Sequence, residues 1–497
     1  MTAVQVPGAP DEGARGTVTN ASRAAARAAA AWFNRPAGPL ASDERPDEQR
    51  DRERMSAGPS RTDGAAAGRA GAVAGLCTEL ELSAPTLEPV GDEVTTVRVL
   101  VRLHRTPLGF VSVAPEEYAR PGAVLALALD QLRADVVAHL EVDGLAPTVD
   151  DGPVDDETLG RALSAPCPRP LLDEHVSVVV ATRNRPEHVW GCLEQLLALE
   201  HPSFDVTVVD NDPATDATRD VVAALVGDDP RFTYVRLDRA GVSRARNAGI
   251  DRARGPLVAF IDDDVRVDPF WLQGLVRAFA SSPAVTCVTG LIAARTISGA
   301  EQLYFDSRVS WSASLEPHVY HPTSDDPLHP WAAGRFGAGA NMAFRLDAVR
   351  ALGGFDLDLG PGTPAKGAED IDLFVRALRA GGDLRYDPAA LAWHIHRSDA
   401  AALEQQLFGY GAGLTAYLFK HALSPRVALD MLGRLPRAVR HIATVTKVEG
   451  VDAGPAEDAS RYRRIELSGM ALGPLLYLRS RLRRGSEHGT PLRRSGP

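Results

Sequence analysis

From residue 176 onward, short unbroken apolar runs alternate with longer amphipathic ones. Val176–Ala181 is apolar except for Ser177, the pattern of a strand buried on both faces. Pro186–Leu199 reads as a helix, Val206–Asp210 as a second buried strand, and the stretch through Leu225 as another helix. Tyr234–Leu237 is a third strand, Val242–Arg252 a helix and Leu257–Ile261 a fourth strand. This alternation predicts an open, mostly parallel α/β sheet over 173–400. Ligands of such sheets bind beyond the carboxyl ends of the strands. Upstream, Val97–Leu103 sets arginines among apolar residues, a half-buried strand. After a turn at Thr106–Gly109, Phe110–Val113 is placed to pair back on it. With a helix over Ala123–Leu140, these segments predict a small α+β domain over 73–150, followed by a linker over 151–172.

Composition adds the ends. Residues 1–72 are rich in Ala, Gly, Pro and charged residues without an apolar period, which predicts a disordered tail. Residues 401–497 read as helical and basic: 421–497 carry 14 Lys/Arg against 7 Asp/Glu, in a chain whose net charge is -11. The acidic total argues against nucleic acid as a partner. A chain of 497 residues exceeds one compact core, so two or three domains are expected. The four cysteines are scattered without a CxxC pair, against a structural zinc site and in keeping with a reducing cytoplasmic setting. The N-terminus lacks a secretory apolar run. No apolar run reaches the about 20 residues that span a bilayer, so any membrane role is expected to be peripheral, on the cytoplasmic face.

Chemistry concentrates where the strands end. Asp262-Asp263-Asp264 directly follows a buried strand. Three adjacent carboxylates repel one another, and a hard divalent cation, Mn2+ or Mg2+, would relieve them. A solvated loop capping the helix after Asp268-Pro269 is the plain alternative. A haloacid-dehalogenase-type phosphatase is disfavoured, because Arg266 stands where that motif usually has Thr or Val and because the triplet follows the fourth strand. Glu369-Asp370-Ile371-Asp372 opens a helical pattern. Its carboxylates suit either helix capping or a general base. In Trp393-His394-Ile395-His396 an extended backbone puts both histidines on one face, in reach of a metal or a diphosphate. Arg246 and Asn247 contact phosphate or base, or merely face solvent. The small residues of Gly337–Met342 admit either a ligand or tight packing. Trp311 and Trp331 are sugar-stacking candidates on the acceptor side, or core residues.

Together, Val176–Arg185, Val208–Asn211, Ala245–Gly249, Phe260–Asp264, Gly339–Met342, Gly367–Asp370 and Trp393-His394 resemble the family 2 glycosyltransferases over roughly 174–400. The resemblance implies a GT-A (Rossmann-like) catalytic domain. It implies that Thr182, Arg183, Arg185 and Asp210 line a nucleotide pocket, with Arg246 and Asn247 helping to hold the donor. Asp262 and Asp264 would end a DxD motif. Asp264 would bind the metal, Asp262 and Asp263 would contact donor ribose or sugar, and Asp262 and His394 are further metal-ligand candidates. Asp370, with Glu369 beside it, would be the catalytic base. Gly339, Asn341 and Trp331 would lie on the acceptor side. One departure is Ala368, where glycine often precedes the Glu.

The implied reaction is an inverting transfer from a nucleoside-diphosphate sugar to a hydroxyl on a glycan, lipid-linked or small-molecule acceptor. It would serve cell-envelope, polysaccharide, glycolipid or secondary-metabolite synthesis. The basic C-terminal helices suit peripheral contact with an anionic membrane, or simple packing on the catalytic domain. Two other classes stay open at this point: a nucleotidyltransferase, which would show a glycine-rich loop that Thr182–Glu187 lacks, and a non-catalytic carbohydrate- or partner-binding scaffold.

Overall fold

A computed structural model describes residues 75–487 except 92–93, 121, 147–155, 228, 298, 310, 313, 333, 398 and 446–455. The tail expected over 1–72 lies outside the described residues. The strands, in chain order, are β1 (Gly75–Glu81), β2 (Thr96–Leu103), β3 (Thr106–Val113), β4 (Val176–Thr182), β5 (Phe204–Asn211), β6 (Phe232–Leu237), β7 (Leu257–Asp262), β8 (Val265–Val267), β9 (Val285–Ala294), β10 (Thr296–Ile297), β11 (His318–Tyr320), β12 (Asn341–Arg345) and β13 (Asp383–His394).

The larger sheet has nine strands in the order β11-β13-β9-β12-β7-β4-β5-β6, with β8 paired to β13. The four strands read from their apolar runs form its parallel half, with β4 between β7 and β5. Helices Pro186–Leu197, Ala217–Val226 and Val242–Arg252 are the crossovers. β12 enters antiparallel between β7 and β9. β13 then runs parallel to β9, and its last residues pair with β8, His394 opposite Val265. This register brings the end of β13 beside the loop that leaves β7. The carboxyl ends of β4, β5, β7 and β13 therefore converge on one edge.

The domain built on the smaller sheet, β10-β1-β2-β3, differs from expectation in three places. The hairpin turn is His104-Arg105, both at positive φ (50° and 72°), so β3 already begins at Thr106. Positive φ at both central residues matches the twist of a two-residue hairpin turn. The helix expected over 123–140 is two helices, Ala123–Gln131 and Arg133–Val142, parted at Leu132. Within the stretch read as a linker, Asp156–Leu163 is helical and buries Leu159 and Leu163 in this domain's core. The domain is stitched to the larger sheet. β10, which follows β9, pairs with β1. Buried Arg102 pairs with Asp268 at 2.6 Å, across to the loop after β8.

The C-terminal helices Ala400–Ala422 and Ala456–Glu487 pack together through glycine, with Pro425–Val445 beside them. A Cβ on Gly411 would overlap the Glu466 carbonyl oxygen, one on Gly469 the Phe408 carbonyl oxygen, and one on Gly473 the Thr415 hydroxyl. The same helix meets the loop before Glu369: a Cβ on Gly413 would lie 2.7 Å from the Gly367 carbonyl carbon. Among the described residues no helix is long and apolar enough to cross a membrane.

The backbone contact predicts that Gly411→Ala lowers stability by about 2 kcal/mol, although alanine favours an isolated helix by about 1 kcal/mol. Equilibrium denaturation measures the sign, and a stabilised variant would refute the close contact.

Candidate active site

The acidic triplet leaves β7 and is held by one hydroxyl and two guanidinium groups. Thr182 at the end of β4 donates its hydroxyl to Asp263 at 2.7 Å. Arg185 reaches both Asp263 Oδ1 (3.0 Å) and Asp264 Oδ2 (3.1 Å). Arg246 donates to Asp262 Oδ1 at 2.9 Å. The carboxylates respond differently. Burial, reinforced by Asp264, pushes Asp263 up to about 6. Burial opposes the charge on Asp264 too, but His394 and Arg185 outweigh it and hold its carboxyl below the usual range.

Asp264 Oδ1 faces His394 Nε2 at 3.6 Å, too long for a hydrogen bond. Burial lowers His394 to about 4, against the pull of Asp264, so at neutral pH the imidazole is an uncharged potential ligand. Behind it His394 Nδ1 meets His396 Nδ1 at 2.9 Å, and His396 Nε2 meets Asp306 at 3.1 Å. With Nδ1–H of His394 donating along this chain, Nε2 keeps its lone pair towards Asp264. Carboxylate oxygens of Asp262 and Asp264 with one imidazole nitrogen form a donor set suited to Mn2+ or Mg2+. These donor types suit such an ion, and Arg246 and Arg185 pair with the two carboxylates where it would sit. A separate group, His104, His139 and Asp143, also clusters in the smaller domain. There Arg169 binds Asp143 Oδ1 at 2.7 Å, while Oδ2 faces His104 (2.7 Å) and His139 (3.1 Å).

The second carboxylate pair opens the helix Glu369–Arg379. Asp370 Oδ2 accepts the Gly339 N–H at 2.7 Å. A Cβ at Gly339 would lie 2.9 Å from that oxygen, so glycine there lets the backbone hold the carboxylate. Glu369 instead turns to Arg246 Nη1 at 2.8 Å. Burial, with Asp370 adjacent, raises Glu369 to about 7 against the pull of Arg246. Arg246, 2% exposed, thus ties the triplet to the helix start. Ala368 sits at φ 66°, the left-handed region that glycine enters freely. This is the position where the sequence departs from the family's usual glycine.

Further along the helix, Asp372 is fully buried. It accepts from Arg376 at 2.8 Å, and its other oxygen meets Lys420 (2.7 Å) and His421 (3.0 Å) of the helix Ala400–Ala422. Burial works against its charge, but His421, Arg376 and Lys420 together hold its carboxyl far below the ordinary range.

A cavity of ≈ 900 Å³ runs from Arg246, Asp262, Asp264 and His394 past Gly339 and Asp370 to the C-terminal helices. Its far wall includes Trp311, Tyr410, Leu476 and Arg479. Several expected residues stand elsewhere. Asn341 is fully buried. It accepts from the Trp271 indole and donates to the carbonyls of Leu291 and Ala390, so its amide is committed to the sheet rather than to an acceptor. Asn247 exchanges both amide groups with the Phe355 backbone and so fixes a loop instead of a donor. Trp331 does line the cavity, yet its indole donates to Asp430 at 2.9 Å. Asp210 accepts from the Tyr234 hydroxyl at 2.8 Å, while its Oδ1 is buried without a partner, as is Asn211 Oδ1. Arg183 pairs with Asp212 at the surface. The sequence reading did not single out Asp306 or Tyr410. The Gly409-Tyr410-Gly411 run was the signal available for Tyr410.

Residues 177–347 match the model of Glycosyl transferase family 2. The chain is 32% identical over 223 residues to the succinoglycan biosynthesis protein ExoM of Rhizobium meliloti (strain 1021), covering 44% of this chain and 65% of that protein. It is 30% identical over 181 residues to the pre-mycofactocin glycosyltransferase of Mycobacterium tuberculosis (strain ATCC 25618 / H37Rv), 36% of each. The match thus spans less than two thirds of either relative. Among solved structures, the mannosyltransferase PcManGT from Pyrobaculum calidifontis, in complex with GDP-Man and Mn2+, aligns with a TM-score of 0.41 at 18% identity. That alignment covers 74% of this chain and 98% of that one, a likeness too distant to carry chemistry across.

Two stability outcomes follow from the helix start. Ala368→Gly is expected to raise stability by about 1 kcal/mol by relieving the left-handed backbone, measured by denaturant titration. Asp372→Ala is expected to cost about 3 kcal/mol near pH 7. Because the folded carboxyl is held low, its contribution is complete above the unfolded pKa of about 4 and fades as pH falls below it. The gap between wild type and variant should therefore narrow in acid, and a gap that widens there would contradict the ion-pair reading.

Proposed function

This chain belongs, through residues 177–347, to glycosyl transferase family 2, and from that premise we propose that it moves a sugar from a nucleoside-diphosphate donor to an acceptor hydroxyl with inversion. The observation that carries the proposal is the shared cavity. Asp262, Asp264 and His394 face it at one end, and Asp370 faces it across Gly339. One end offers donors for a cation and the other a carboxylate that no ion pair consumes among the described contacts.

In this reading Asp370 accepts the proton of the acceptor hydroxyl, while Gly339 N–H keeps its Oδ2 oriented. The acceptor oxygen bonds to the anomeric carbon from one face as the bond to the diphosphate breaks on the other. Mn2+ or Mg2+ held by Asp264, Asp262 and His394 would supply positive charge to the departing diphosphate. Asp263 is engaged by Thr182 and Arg185 and positions the triplet. Asp210, at the carboxyl end of β5, would accept a hydrogen bond from base or ribose. Glu369 keeps Arg246 in place and is not the base. The names of the two curated relatives support a role in making an envelope polysaccharide or a glycosylated small molecule.

A donor panel with Mn2+, read by nucleoside-diphosphate release, tests the activity. Asp370→Asn should lower kcat by about 10²- to 10⁴-fold while donor binding persists. Asp264→Ala should abolish the Mn2+ dependence of donor binding, followed by calorimetry. Wild-type turnover in Asp370→Asn would remove it as the base.

A further inference from the structure

The outer face of the C-terminal helices has no partner among the described residues. Eight of the eleven exposed large apolar side chains are leucines from Leu423 onward. On the helix Ala456–Glu487, Leu467, Leu475, Leu478 and Leu482 fall within an arc of about 80° at about 100° per residue. Leu475 is 63% exposed and Leu482 76%. The opposite face is also filled: Tyr462, Glu466, Gly469, Gly473 and Tyr477 are buried. The helix is apolar on two sides, and only one of them is spent on the fold. On the helix Pro425–Val445, Leu429 and Leu432 are likewise exposed, at 71% and 61%.

Charge identifies the occupant. Residues 459–484 contain seven arginines and one carboxylate, Glu466, and Glu466 is buried against Arg308. Exposed Arg463 and Arg481 flank the leucine stripe on one side, Arg479 on the other, and Arg464 lies within it. A second copy of the chain meeting this face symmetrically would set arginines against arginines. An anionic bilayer satisfies both the leucines and the arginines.

We propose that this face docks on an anionic lipid surface. The same helix gives Leu476, Arg479 and Arg483 to the wall of the cavity. Docking therefore sets the cavity beside the lipid headgroups, and on the glycosyltransferase reading it favours an acceptor carried on a lipid phosphate. The docking itself rests on the helices alone.

The test is co-sedimentation of the full chain with phosphatidylglycerol/phosphatidylcholine vesicles and with phosphatidylcholine vesicles. Binding to the anionic vesicles that weakens with added salt is expected. The triple variant Leu475→Glu, Leu478→Glu, Leu482→Glu should lose at least about tenfold in vesicle affinity with its Tm and nucleoside-diphosphate release unchanged. Arg463→Glu with Arg464→Glu should lose the preference for anionic lipid. The proposal is overturned if the full chain ignores anionic vesicles, or if the leucine variant binds them as wild type does. It is equally overturned if wild type is a dimer that the leucine variant dissolves without any change in vesicle binding. Absence of vesicle binding would leave sugar transfer intact, and loss of transfer would leave vesicle binding intact.

Discussion

Arg246 places one positive charge, almost wholly out of solvent, between two carboxylates that belong to different parts of the chain. Asp262 ends a central strand and Glu369 begins a helix more than a hundred residues later. The third contact, to the Gly339 carbonyl at 3.2 Å, recruits the segment that also holds Asp370. A guanidinium suits this position because its flat fork serves several oxygens at once and stays charged when buried. Without that charge, Asp262, Glu369 and Asp370 would face one another in a low-dielectric cleft. The spacing between Asp262 and the start of the helix Glu369–Arg379 is therefore set by an internal ion pair.

The rest of the architecture supports that spacing. β12 runs antiparallel through the sheet and carries Asn341, whose amide joins β9 and β13, both on one side of it, to the Trp271 indole. β13 carries His394 to the triplet, and the Asp306–His396 pair steadies it from behind. The N-terminal sheet reaches the same region from outside, through Arg102 to Asp268, four residues past Asp264. The C-terminal helices close the far wall of the cavity, and Asp372 couples the helix Glu369–Arg379 to them.

The parallel half of the sheet was legible because a strand buried on both faces has nowhere to put a polar residue. Val176–Ala181 and Leu257–Ile261 announce themselves, and the polar residues at their ends follow from the position of such sheets' ligand sites. Asp262–Asp264 are read in this way, whereas Asp370 is read from the helical pattern it opens and His394 from an extended run. What each neighbour binds was not legible, because its partner is distant in sequence. Asn247 looked like a donor contact but bonds to Phe355, and Asn341 looked like an acceptor contact but serves Leu291 and Ala390. The pairing of β10 with β1 joins residues more than two hundred positions apart, which no local pattern encodes. The helix Asp156–Leu163 is short, and only its two buried leucines, meeting a core built elsewhere, distinguish it from a linker. The cavity wall was hidden for a related reason: it exists only because two helices meet glycine to backbone.

That glycine contact divides the C-terminal region into a part that can vary and a part that cannot. Gly409 and Gly413 lie against the loop of Gly367 and Ala368, and Gly411 lies against the neighbouring helix. These contacts are made mostly by backbone atoms, so a displacement of the helix is passed on to the loop before Glu369. The leucines on the outer surface touch neither. Substitution can reshape the exterior of the protein, and with it the environment it meets, while the position of Asp370 stays fixed by atoms that have no smaller replacement.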